Sequence, residues 1–249
     1  MPMNIQVKFF QYNKTKWIAL CTLLFLISFK GFSSDTIFKV LPEFSKLKIQ
    51  GRLVVILEIG TDYKAELRAS SAEVDLNKVA FNNKGDEMLV KYSGLTLKGP
   101  GVQLVITVPS LNQIDVSMGA KVSVQSRHIL KTATLELNVS GGGVIIGALD
   151  VELLTASIDG GGDVILSGAT KQLIASVLTG GTIDGFNLIT NNASAKVKLG
   201  GNVNVNVKET LNASVFSGGI ISYKGSPALT QKVSLGGLIQ KVNDVKTKK

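Results

Sequence analysis

The residues best placed to do chemistry surround a run of glycines. In "ASIDGGGDVILSG" (156–168), Asp159 and Asp163 flank three consecutive glycines. Glycine-rich loops cradle phosphates, and glycine–aspartate repeats bind calcium. A phosphate loop would need GxxxxGK[ST] followed by a helix, and a calcium repeat would need aspartate at the same place in successive repeats. The sequence has neither pattern, so we interpret both aspartates as solvent-facing residues at a chain corner.

Acid–base chemistry on a polysaccharide is the alternative for these acids. Asp159, Asp163 and Asp184 come from neighbouring repeats near one corner, and clustered carboxylates can cleave a glycosidic bond or bind calcium. Residues 114–242, however, contain only eight acids. His128 is the only histidine, and no nucleophile elbow accompanies it. We therefore predict no catalytic residue, no metal site and no cofactor, and keep the three aspartates as a weak ligand or metal candidate.

A row of amides offers a third kind of chemistry. Asn202, Asn204 and Asn206 alternate with valines in "NVNVNVK" (202–208), so they share one face of a strand. Amides on a flat, solvent-facing surface can hydrogen-bond a glycan, although such surfaces also occur as plain solvated sheet. Both interpretations stay open at this point.

These candidates belong to an internal repeat. Its template is Val or Ile, two variable residues, Gly, then Gly or Ala, one variable residue, and Val or Ile. Successive copies begin 18 to 23 residues apart, which is about one solenoid coil. Seven copies fit the template, and their first glycines are Gly119, Gly142, Gly161, Gly180, Gly200, Gly218 and Gly236.

The repeat predicts a parallel β-helix of about seven coils. β-Branched residues suit a packed strand surface, and the stretches between the glycines alternate apolar and polar residues with period two. No useful helical pattern occurs between residues 114 and 242. We expect each Val or Ile to point inward and each glycine pair to form a corner, where positive φ and close approach to neighbouring coils are needed.

The flanking segments differ from the repeats. Residues 34–112 have strand-like stretches separated by turn signals, and we predict a β-rich N-terminal part that caps the first coil. The repeats occupy 113–242, and 243–249 form a polar, basic tail. Solenoid ends need such covers because exposed strand edges aggregate.

The first 33 residues have the pattern of a secretory signal peptide. Basic residues precede a 13-residue apolar stretch at 17–29, which is short for a membrane span, and small residues follow. Cys21, the only cysteine, lies inside this stretch, so the mature chain has no disulfide or thiolate site. Without the four leader lysines, 23 basic residues face 18 acids. This mild excess gives little reason to expect nucleic-acid binding.

The residues also resemble a known family. "FSKLKIQGRLVVILEIG" (44–60), "VITVPSLNQIDVSMGAKV" (105–122) and the repeated V..GG.V motif are similar to the bacterial auto-transporter adhesin head GIN domain family. The resemblance implies a right-handed parallel β-helix, export, and adhesin, lipid-binding or pectinase-like roles. It supplies no catalytic residues. The corner differs from the family's usual SGAS, because only Ala120 keeps an alanine at the second position.

Together these observations predict an exported, non-enzymatic, adhesin-like binding protein of the bacterial cell envelope. It would lie in the periplasm or at the outer membrane or cell surface and bind a glycan or another surface component. It would contact a membrane only through an uncleaved leader. The alternatives are a polysaccharide-active β-helix enzyme and a structural envelope protein.

Overall fold

The computed structural model describes residues 36–69, 74–94 and 102–243, which all fall within one compact unit, 34–249. The predicted signal peptide (1–33) lies outside the described residues, as does the basic tail apart from Asn243. In the part of the chain that is described, no helix is long and apolar enough to cross a membrane.

The described residues are almost entirely β-strand, with one 3-10 turn at Leu76–Lys78. Side chains alternate between buried and exposed along most strands, as period-two sequences require. The strands are β1 Thr36–Val40, β2 Lys46–Gln50, β3 Leu53–Ile59, β4 Lys64–Ala69, β5 Val79–Lys84, β6 Glu87–Tyr92, β7 Val102–Val108, β8 Gln113–Ser117, β9 Lys121–Val124, β10 Leu130–Ser140, β11 Gly143–Asp159, β12 Gly162–Val177, β13 Thr182–Leu199, β14 Asn202–Ser217, β15 Ile220–Gly225, β16 Ala228–Val233 and β17 Leu238–Lys241.

The strands wind into a β-solenoid of about seven turns, as the sequence predicts. Each coil pairs in parallel with the next, so that Val139 lies beside Ile158 and Val177 beside Val197. The entry face contains the strands that lead into the glycine corners: β8, 134–140, 153–159, 172–177, 192–199, 210–217 and β16. The exit face contains the strands that leave them: β9, 143–151, 162–170, 182–190, 202–207, β15 and β17.

The Val and Ile positions of the repeat form two stacks of aliphatic side chains within the core, one behind each face. Their members are at most 2 % exposed, which removes each side chain almost completely from water and favours the stacked coils by roughly 1.5–3 kcal/mol apiece. The stacks are Val116, Val139, Ile158, Val177, Val197 and Val215 on the entry side, and Val122, Ile145, Val164, Ile183, Val203 and Ile221 on the exit side.

The two glycines of each corner have different physical roles. Gly180 has φ +69°, and a Cβ added to it would contact nothing within 4 Å, so it serves backbone conformation alone. A Cβ on Gly181 would lie 2.6 Å from the carbonyl oxygen of Gly162 and 2.8 Å from Ile158 Cγ2. The second glycine therefore also allows the coils to approach each other closely.

The first corner contains a non-glycine residue with positive φ. Met118 has φ 58°, beside Gly141 at 54° in the second copy and Gly160 at 74° in the third. The sequence alone matches Gly160 only with Gly141. The backbone adds Met118 to this column, at a conformation that most L-residues avoid.

The N-terminal strands continue the stack out of chain order. β2 lies in parallel between β6 and β8, and β3 lies in parallel between β7 and β9. Antiparallel strands then cover this end, with β5 on β6 and β4 and β1 beyond β7. Strands on both sides of the predicted 112/113 boundary thus share one stack, and that boundary stays a prediction.

The last coil carries polar residues at positions that point inward in earlier coils. β16 pairs with β14 and β17 with β15, and every residue of β16 is exposed. Gln231 takes the place of Ala213, and Lys241 that of Tyr223. Polar side chains at these positions make the end of the stack less attractive to another coil.

Candidate functional site

A polar groove crosses the entry face near its N-terminal end. It consists of two adjoining depressions of about 280 and 360 Å³, formed over β2, β8, β10 and the second half of β11. We call it the entry-face groove. Strand register places its outward residues in three neighbouring rows: Lys46, Gln113, Glu136 and Thr155; Lys48, Asp115, Asn138 and Ser157; and Gln50, Ser117, Ser140 and Asp159.

A hydrogen-bond network fixes the centre of the groove. Gln113 Nε2 donates to Asp115 Oδ1 at 3.0 Å and Oδ2 at 3.1 Å. Asn138 Nδ2 donates to Asp115 Oδ1 and to Glu136 Oε1, both at 2.9 Å. A carboxylate has about four acceptor positions, so both acids keep capacity for donors from outside. The network holds the carboxylates and amides in place before any ligand arrives.

The larger depression lies over a buried oxygen without a hydrogen-bond partner. Asn112 Oδ1 is inaccessible to solvent and makes no hydrogen bond within the described residues. Lys46, Thr134, Glu136 and Thr155 lie around the same depression. Buried polar atoms normally have a partner, so Asn112 Oδ1 is an unused acceptor beside this depression.

The groove presents charged and amide groups that can form hydrogen bonds with a ligand. The described residues contain no group of three or more His, Cys, Asp or Glu side chains that could hold a metal ion. The two carboxylates at its centre, Asp115 and Glu136, share the amide of Asn138. Charged acceptors and amides on a flat strand surface match the hydroxyl groups of a sugar, which donate and accept at once.

The fold separates the three aspartates that the sequence places near one corner. Asp159 borders the entry-face groove, where it accepts a hydrogen bond from Thr179 Oγ1 at 3.2 Å. Asp163 and Asp184 lie on the exit face, beside Thr182 and Ile165 of the neighbouring coils. Asp159 therefore belongs to a different surface from the other two, and its carboxylate braces the corner through Thr179.

The predicted asparagine row lies on the exit face. Asn202, Asn204 and Asn206 point outward while the intervening valines are fully buried. Asn206 Nδ2 donates to the carbonyl oxygen of Phe186 at 3.3 Å, within a bulge of β13. The role of this row in glycan binding stays a prediction.

His128 has a structural contact. Its Nδ1 accepts the backbone N–H of Ile59 at 2.7 Å, and the neighbouring Arg127 lies 3.5 Å from Glu58 Oε1. These contacts attach the loop after β9 to β3. The imidazole is thereby engaged in holding two coils together.

Asp86 holds the start of β2 in place beside the entry-face groove. Its carboxylate accepts the hydroxyl and the backbone N–H of Ser45, both at 2.8 Å, and Lys46 Nζ lies 3.9 Å away. The two hydrogen bonds, helped by the lysine charge, lower the pKa of Asp86 below its ordinary value, against a small opposing effect of desolvation. This contact positions the start of β2, which carries the groove lysines.

Sequence reasoning missed the groove, although a signal for it was present. Aligning the copies four residues before the first glycine gives one outward column: Asp115, Asn138, Ser157, Ser176, Lys196, Ser214 and Lys232. Its early members are acidic, amide and hydroxyl residues. The contribution of β2 had no such signal, because β2 joins the stack out of chain order.

Known structures share this architecture. A "putative adhesin" from Bacteroides fragilis is 22% identical, with a TM-score of 0.75 over 85% of this chain and 98% of the other. A "putative adhesin" from Parabacteroides merdae is 20% identical, with a TM-score of 0.65 over 86% and 98%. A "putative lipid binding protein" from Parabacteroides distasonis is 14% identical, also with a TM-score of 0.65 over 86% and 98%. At these identities the likeness shows the fold alone.

Sequence comparison identifies the family. No curated protein is similar enough to the chain to count as a relative. Residues 43–227 match a family model, described as "putative auto-transporter adhesin, head GIN domain", and thus cover most of the solenoid. The chain therefore belongs to the auto-transporter adhesin head GIN domain family.

Proposed function

We propose that the chain is an exported, non-enzymatic binding protein of the bacterial cell envelope that holds a glycan in the entry-face groove. The observation that carries this proposal is the network joining Asp115, Asn138, Gln113 and Glu136. It presents fixed acceptors and donors on an open surface. Preorganised groups of this kind bind without first losing side-chain entropy.

The shape of the groove supports an extended ligand. It spans the strands β2, β8, β10 and β11, which at about 4.8 Å per strand gives a length of roughly 14 Å along the solenoid axis. That length exceeds one sugar ring. The membership in an adhesin-like family is consistent with contacts to cell-surface components, and two of the three similar structures are themselves described as putative adhesins.

A glycan array probed with residues 34–249 tests the proposal. This segment is one compact unit and contains every described strand. We expect binding to a subset of glycans, and at least a tenfold loss of affinity in Asp115→Asn combined with Asn138→Ala. The two changes remove hydrogen bonds between part-buried outward side chains and leave the apolar core intact, so melting curves should stay within a few degrees of the unsubstituted protein.

The matched control changes amides on the other face. Asn202→Ala with Asn204→Ala should leave glycan binding intact, because these side chains lie outside the groove. Equal losses in both double variants, or no binding to any glycan, would contradict the proposal; silence would favour a structural envelope role. Release of new reducing ends from a bound polysaccharide would instead favour the enzymatic alternative.

A further inference from the structure

Exposed apolar side chains gather at the glycine corners of the last coils. Leu199, Phe216 and Leu235 occupy variable positions before the glycines and are 54 %, 51 % and 71 % exposed. Ile220 and Leu238, just after the corner, are 37 % and 46 % exposed. We call these five residues the late corner patch.

The five residues are neighbours in space. The backbone N–H of Leu235 donates to the carbonyl oxygen of Phe216, Leu199 lies beside Ser217, and Ile220 lies beside Leu238 in the paired strands. Adjacent coils are about 4.8 Å apart, so the five residues lie on the corners of three successive coils, with Ser217 between Leu199 and Leu235 in their column. Exposed apolar side chains that gather on one part of a protein surface commonly mark an interaction site.

The backbone does not require apolar residues here. The first glycine keeps positive φ in every copy, and late corners of the same backbone type also carry polar residues at these template positions: Thr179 and Ser217 match Leu199 and Leu235, Lys198 and Ser234 match Phe216, and Thr182 and Asn202 match Ile220 and Leu238. The equivalents of Phe216 in the first three copies are Ser117, Ser140 and Asp159. The apolar character of the late corners thus serves something other than the fold.

Positive charge accompanies the patch. Residues 164–243 contain seven lysines and two acids. Lys198 lies in the coil next to Phe216, and Lys196 and Lys232 flank Ser214 on the adjoining entry face. No ion pair within the described ranges involves these three lysines, so their charges face outward.

The two acids of this half are engaged away from the patch. Asp184 accepts the backbone N–H of Phe186 on the exit face at 3.2 Å. Glu209 accepts from Asn192 Nδ2 at 3.3 Å, at the bend that leads onto the entry face. The surface around the late corner patch is therefore basic.

We propose that the late corner patch docks on an anionic lipid bilayer. Phe216 and Leu235 enter the headgroup region, and Lys196, Lys198 and Lys232 contact lipid phosphates. Apolar insertion and attraction to anionic lipid are the two contributions that hold proteins at a membrane surface. A soluble polyanion would leave the apolar side chains of the late corner patch uncovered. A second copy of the patch would bring like charges together. The late corner patch is separate from the entry-face groove, so this site does not depend on the proposed glycan binding.

Vesicle sedimentation tests the proposal with residues 34–249. The probes are phosphatidylcholine vesicles with and without phosphatidylglycerol. We expect binding only when phosphatidylglycerol is present, and weaker binding as salt rises. Phe216→Ser with Leu235→Ser should reduce binding at least tenfold, and replacing Lys198 and Lys232 with Gln should reduce it by about fivefold per lysine.

The matched control removes apolar side chains of similar exposure elsewhere. Ile165 and Ile189 are 41 % and 43 % exposed on the exit face. Ile165→Ser with Ile189→Ser should bind vesicles as the unsubstituted protein does, and all variants should show the same melting temperature within a few degrees. Equal binding to both vesicle types, an unchanged Phe216→Ser/Leu235→Ser variant, or a dimer that this variant abolishes would overturn the proposal.

Discussion

The early and late halves of the solenoid share the inward side-chain stacks and the first glycine of each corner, but they carry different surfaces at those corners. The early coils place Asp159 and Asp163 beside the corner, whereas the late coils place Lys198, Phe216 and Leu235 there. The column that begins with Asp115 likewise ends with lysine. Because inward residues and glycines set the coil, the outward positions are free to differ. The surface chemistry of this solenoid is therefore set by its outward side chains and not by the inward positions of the repeat.

The largest expected effect tests whether the close approach of coils at the second glycine is equally demanding in the third and the sixth copy. Alanine at Gly162 would place a Cβ 2.5 Å from the carbonyl oxygen of Gly143, and at Gly219 2.7 Å from that of Gly201. Each substitution should cost about 3 kcal/mol of unfolding free energy, by adding a steric clash to positive-φ strain. Urea unfolding monitored by circular dichroism measures the loss.

A first-position glycine is the control for this prediction. Gly180→Ala adds only conformational strain and should cost about 1 kcal/mol. If Gly162→Ala and Gly219→Ala differed by more than the cost of Gly180→Ala, the two halves would not share one set of backbone constraints.

A smaller expected effect is a loss of stability at low pH, which should appear only in the early half of the solenoid. The folded-state pKa of Asp86 is lowered by the hydroxyl and N–H of Ser45, so this carboxylate stabilises the fold above its unfolded pKa of about 4. That contribution is lost as pH falls through the lower folded pKa. Hydrogen exchange below pH 4 should show earlier opening around residues 45–47 and 86–88 than in β14.

Asp86→Asn is the matched variant. The substituted side chain cannot ionise. In this variant, hydrogen-exchange protection around residues 45–47 and 86–88 should therefore lose the part that depends on acid. An unchanged pH dependence in Asp86→Asn would show that another group governs the acid response, and preferential opening of β14 would reverse the comparison.

The sequence predicts the coil well because its signals are local. Val or Ile on either side of a glycine pair specifies inward side chains and a corner, and both appear in the structure. The insertion of β2 between β6 and β8 is not predictable this way, because pairing between strands distant in sequence leaves no periodic trace. Met118 is a similar case, since its residue type disfavours the positive φ that its neighbours impose.

The candidate site is predictable only in part, for the same reason. The sequence singles out Asp159, which borders the groove. Asp163 and Asp184, which the sequence groups with it, lie on the exit face. Asp115 and Asn138 become candidate binding residues only because they are neighbours in adjacent coils, although they are 23 residues apart in sequence. An alignment of the repeats can show such a column, whereas the lysines that β2 adds require the fold.

The central claim is that two separate outward surfaces act independently on one continuous solenoid. Its most direct test measures both activities in both variants: affinity for the best array glycan, and sedimentation with phosphatidylglycerol vesicles. Asp115→Asn/Asn138→Ala should lose glycan binding and keep vesicle binding, and Phe216→Ser/Leu235→Ser should do the reverse. Loss of both activities in either correctly folded variant would contradict the claim.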